Sequence, residues 1–137
     1  MALESFSTDL HAVNINGRLI NDWGDSDPPY TESPIDQKTT LKRGFGGRAV
    51  RFDRINPGQE VVLNLMPGSP DSAFMQALMN SNADISLGRY QVGTLESAVG
   101  AEGAIINRGQ KGRGGASLSD DQYIIQFNVW TETAGGE

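Results

Sequence analysis

The sequence contains no cysteine, which excludes disulfide staples, thiolate nucleophiles and Cys-ligated zinc or iron–sulfur centres. Its single histidine, His11, would have to serve any Ser-His-Asp arrangement, and no G-x-S-x-G elbow presents a serine to it. A zinc site would need carboxylates to complete it. No apolar run approaches the roughly 18 residues of a membrane-spanning helix. The opening MALESFSTDL lacks the basic and apolar regions of a secretory signal, so a soluble chain made in a cytoplasm is expected, without membrane insertion. Aromatic residues make up only 7%, and 11 Lys+Arg face 17 Asp+Glu for a formal net charge of −6. Such a surface repels phosphates, whereas a nucleic-acid binder gains free energy by replacing their condensed counterions.

The 137 residues make one domain's worth of chain, 1–137. That length buries about two-thirds of the unfolded surface, enough for a core without staples. With 17 Gly, 6 Pro and 37% hydrophobic residues, strands and long loops are expected rather than a helical bundle. Leu10 to Trp23 reads as a hairpin, because Asn16-Gly17 supplies the two positive-φ residues of a type I′ turn. A long loop is expected over about 24–58. Its first part, GDSDPPYTESPIDQ (Gly24 to Gln37), has three prolines and no basic residue, and is either disordered or used. Asp22 to Asp36 holds five carboxylates. Lys38 to Arg54 follows with six basic residues against Asp53, where Gly44-Phe45-Gly46-Gly47 interrupts two possible short strands, TTLKR and RAVRFDR.

Beyond the Asn56-Pro57-Gly58 turn, Gln59 to Met66 alternates, with Val61, Leu63 and Leu65 on one face. Ser69 can cap a helix over about 70–81 that begins with Pro70 and carries Asp71 at the positive end of its dipole. Leu87 to Val92 and Ala101 to Asn107 are weaker strands. Gln122 to Glu132 alternates for over ten residues, placing Tyr123, Ile125, Phe127 and Val129 together and Trp130 opposite with Gln126 and Asn128. Between these runs lies a Gly-rich hairpin tip over about 108–121, either flexible or ordered against a partner. The pattern predicts mainly antiparallel β structure with one helix.

Two motifs mimic ligand sites. Asp25-Ser26-Asp27 resembles the opening of a calcium loop, but Pro29 stands at a ligand position and Tyr30 where the turn needs Gly. Gly109 to Gly115 resembles a phosphate cradle, yet Lys111 is followed by Gly112 and not by Ser or Thr opening a helix. No catalytic residue, metal or cofactor is therefore assigned. Phe45 among glycines gains little unless it docks, and Trp130 is half-buried either by the helix or by a neighbouring subunit.

The order of elements resembles a known family. The stretch GQEVVLNLMPGSPDSAFMQALM (Gly58 to Met79), a strand running into Ser69-Pro70 and a short helix with Leu78, is similar to the tail tube protein of contractile-tailed bacteriophages. The resemblance implies two packed antiparallel sheets, forming a sandwich or barrel-like domain with one short helix and long loops. It also implies homohexameric rings stacked into a tube, partnered by sheath, baseplate and tape-measure proteins, in a virion assembled in the host bacterial cytoplasm. Genomic DNA would pass through the bore without specific binding. Phe45, Arg48, Arg51, Arg54 and Trp130 are the expected inter-subunit contacts, the arginines meeting an acidic patch of another ring. The alternatives are another ring-forming tail part (baseplate or tail terminator), the related secretion-system tube, a small-ligand β-barrel, and an enzyme using paired carboxylates.

Overall fold

The structure, a computed structural model, describes residues 11–91 and 95–134. Strands β1 (His11–Ile15) and β2 (Arg18–Leu19) form the expected hairpin around Asn16 and Gly17, at φ 51° and 86°. Leu10, at its expected start, and Val92, at the expected end of a later strand, lie outside the described residues. Next come β3 (Tyr30–Pro34), β4 (Thr39–Arg43), β5 (Ala49–Asp53) and β6 (Gln59–Leu65). Helix α1 (Pro70–Asn80) precedes β7 (Ile85–Gln91), β8 (Glu96–Arg108) and β9 (Asp121–Thr133). Three strands thus occupy the region expected as a long loop. Only β4 and β5 had been foreshadowed, because YTESP reads as loop while its backbone is zipped to β6 from Tyr30↔Leu63 to Pro34↔Gln59.

The fold is mainly β, with two antiparallel sheets, one short helix and long loops. Seven strands run in the order β2-β1-β7-β8-β9-β6-β3, and β4-β5 forms the second sheet. The large sheet curls until β3 comes within side-chain reach of β7, with three strands between them, where Glu32 bonds Arg89. It is barrel-like but not closed, since β2 and β3 are not hydrogen-bonded to each other. Two irregularities in β8 help it bend. Gly103↔Ile85 and Gly100↔Leu87 leave one extra β8 residue, near Glu102 at φ 54°, and a second shift falls at Ile106.

The core lies inside the curl. Val61, Leu63 and Leu65 of β6 meet Tyr123, Ile125 and Phe127 of β9, as the alternation predicts, and Val13, Ile15, Ile85 and Leu87 close the far wall. Each such side chain gains about 1.5–3 kcal/mol by leaving water. Helix α1 seals one end. Ser69 Oγ accepts from Ser72 N, Met75 is fully buried, and the Asp71 carboxylate receives the backbone N–H groups of Asn21 and Asp22 and the Arg18 guanidinium at 2.7–2.9 Å. Burial opposes ionisation of Asp71, but these donors outweigh it and hold its pKa below the ordinary value. Ser72 Oγ donates to Asp121 at 2.5 Å and lies 3.2 Å from the Tyr123 hydroxyl, tying the helix to β9.

The Gly-rich tip is held within the subunit. Gly112 N donates to Ser119 Oγ, Arg113 reaches Asp121 at 2.6 Å, and Asp120 accepts from the backbone of Asp25 and Ser26. The stretch that resembles a calcium loop is thereby wrapped onto the Gly-rich loop. Among the described residues no group of three His, Cys, Asp or Glu could hold a metal, and no helix is long and apolar enough to cross a membrane.

Candidate functional site

The β4–β5 ribbon projects as an arm. Its strands pair in register from Thr39↔Asp53 to Arg43↔Ala49, and nearly all of its side chains are exposed. An isolated two-stranded ribbon is only marginally stable in water. Directly opposed residues share a face, so Phe52 and Val50 stand with Thr40 and Lys42 on one side. Leu41, Arg51, Arg43 and Asp53 stand on the other. Asp53 accepts from Arg51 Nε at 2.8 Å and from Thr39 Oγ1 at 2.9 Å, and these bonds draw its pKa below the ordinary value. The tip folds back through Gly44 N to Arg48 O and Gly47 at φ 92°, presenting Phe45 with 111% relative exposure.

Of the five expected contact residues, Phe45 and Arg48 come together at the tip. Arg51 lies midway along β5. Arg54 lies at the base, where its N–H donates to Lys38 O. Trp130 is elsewhere, on β9, and is half-buried by its own subunit: its ring sits 5.5 Å from that of Phe127, over Gly100, where a Cβ would come within 2.8 Å. The packing therefore differs from the alternation, which put Trp130 with Gln126 and Asn128; Val129 is the more exposed of the two. Its indole Nε1 is buried with no hydrogen-bond partner among the described residues. Sequence reading missed Leu41, Val50, Phe52 and Ile55, all exposed apolar residues of the arm and its base; alternation within RAVRFDR was the available signal.

A second feature lies in the seam of the curled sheet. Along β7 the inward positions run Ile85, Leu87, Arg89, Gln91, so the core turns polar away from the helix. The Arg89 side chain, 7% exposed, bonds Glu32 with Nε at 2.5 Å and Nη2 at 3.1 Å, and Glu96 with Nη1 at 2.5 Å. Burial works against its charge, yet the two carboxylates prevail and raise its pKa. Tyr30 donates its hydroxyl to Glu32, and burial followed by that carboxylate pushes the phenol pKa up. Trp23 meets Tyr30 edge-on at 6.1 Å. Together with Pro29 these side chains border a cleft of about 380 Å3.

No known family profile matches the sequence, and no curated protein matches it. Solved structures do share the fold. A chain of the sheath/tube terminator of an extracellular contractile injection system, PVC, in the extended state is 12% identical with a TM-score of 0.62, covering 98% of this chain and 100% of that one. A chain of the PVC sheath–tube complex in the extended state is 13% identical with a TM-score of 0.60, over 95% and 92%. A chain of the anti-feeding prophage tube-terminating cap is 14% identical with a TM-score of 0.58, over 98% and 95%. Each of these matches spans at least 95% of this chain.

Proposed function

We propose that this chain is a structural subunit of a contractile tail or injection particle, in which identical copies close into hexameric rings and the rings stack into a tube. The observation that carries this reading is the arm: a ribbon of charged and apolar side chains that its own subunit leaves exposed, on a fold shared over nearly its whole length with chains of a sheath/tube terminator and of a sheath–tube complex. A curled sheet with two unjoined margins supports it too, since pairing such edges between copies in a closed ring removes an aggregation hazard. Sheath, baseplate and tape-measure proteins are the partners that follow, and the role is not enzymatic. A net charge of −6 per subunit suits a bore through which DNA passes without adhering.

Electron microscopy of the purified chain at rising concentration tests this. Long tubes are expected. Isolated rings would move the assignment to a terminator or baseplate part, and a persistent monomer would refute it. The double variant Arg48→Glu, Arg51→Glu is expected to block tube growth, and tubes of unchanged length would remove those arginines from the interface.

A further inference from the structure

The arm and the seam cleft have opposite chemistry. Trp23, Pro29 and Tyr30 give the cleft an apolar wall, and Glu32 and Glu96 together exceed the charge of Arg89 by one negative unit. The segment that supplies Trp23 to Glu32 also carries exposed Asp25 and Asp27. The arm tip is the reverse: one fully exposed ring, Phe45, set in a thin glycine backbone and flanked by Arg43 and Arg48. A ring between glycines forms a wedge with little backbone bulk on either side. Five residues per strand carry that wedge about 17 Å from the base of the arm.

We infer that the seam cleft is the receptor for the arm tip of a second copy of this chain. Phe45 enters against Trp23, Pro29 and Tyr30, while Arg43 and Arg48 lie over Glu32, Glu96 and the acidic run beside them. This deepens the assembly reading and rests on it. At about 380 Å3 the cleft is at the small end of ligand-sized pockets, which run from about 300 to 1,000 Å3. Opposite charges at the rim would steer the encounter and set its register. Arg89, already held by both carboxylates, adds no free cation to repel the incoming arginines.

The test places benzoylphenylalanine at position 45, where it keeps an aromatic wedge, and irradiates the assembled particles. Inter-copy cross-links are expected in the tryptic peptide 19–38, which holds Trp23, Pro29, Tyr30 and Glu32, or in 90–108, which holds Glu96. Cross-links mapping elsewhere in well-formed tubes or rings would sink the seam assignment and leave the assembly reading standing. A chain that stays monomeric and yields no inter-copy product overturns both. Charge exchange gives a second measure: Glu96→Lys and Arg48→Glu should each slow assembly at least tenfold, and the two together should recover most of the loss. If Glu96→Lys fails to fold, as circular dichroism would reveal, the cross-link map still decides.

Discussion

Arg89 shows what a charge demands inside a curled sheet. Its side chain is 7% exposed and Glu32 is 13% exposed, so neither can turn to water if the other is removed. Arg89→Met should destabilise the dissociated subunit by about 3–5 kcal/mol, because Glu32 is left buried without a counter-charge, held only by the Tyr30 hydroxyl. Adding Glu32→Gln should return part of that loss, and urea unfolding of the single and double variants measures the difference. Asp71 and Asp121 set the acid limit. Both have pKa values held below the ordinary carboxylate value despite burial, Asp71 by two backbone N–H groups and Arg18, and Asp121 by Ser72 and Arg113. Their stabilisation is complete above the unfolded pKa, near 4, and disappears as pH falls through the depressed native values. The urea midpoint should therefore drop between about pH 5 and pH 2, less steeply in Asp71→Asn, which starts lower at pH 7. Gly103 is constrained by shape, since a Cβ there would stand 2.4 Å from the Phe127 ring. Gly103→Ala should cost about 1–3 kcal/mol by overpacking, as thermal unfolding can report.

At the scale of the element, folding and contact are separable. Phe52 faces outward from the arm, so Phe52→Ser should change subunit stability by no more than about 0.5 kcal/mol. The same variant should still abolish tube growth, which calorimetry and microscopy on one sample would reveal. Elements legible in the sequence were those whose local chemistry agrees with their burial. β6 alternates faultlessly, Ser69-Pro70-Asp71 announces the helix, and Asn16-Gly17 announces the first turn. β3 was hidden because its inward residues are Tyr30 and Glu32 and its last is a proline, so neither period nor composition marks it. β7 was faint for a related reason: Arg89 and Gln91 occupy inward positions that a hydrophobic pattern assigns to solvent. The arm's strands could be read, and alternation within RAVRFDR already sets Val50 and Phe52 apart from Arg51; only their pairing with Lys42 and Thr40 needed the register.

Across the whole molecule, a sandwich or barrel-like domain was expected only through the family resemblance, and the residues that curl the sheet could not be read from the sequence. The curl depends on one extra residue near Glu102 and on glycines at 100 and 103 that let Phe127 and Trp130 lie against β8. It also brings Glu32 to Arg89 from a distance of 57 residues along the chain. The cleft was invisible for that reason, although the charge reversal between 22–36 and 38–54 already marked both partners. If rings form, the unfolding temperature should rise with protein concentration, because assembly stabilises the folded state by mass action, and a temperature independent of concentration would argue against association. The isolation of the arm has a further effect on how such chains diverge. Its side chains are almost all exposed and owe little to the subunit that bears them, so substitutions there escape the penalty that guards the interior. Two particle types made in one cell could thus be kept from mixing by rewriting a dozen consecutive positions, with the scaffold underneath left as it is.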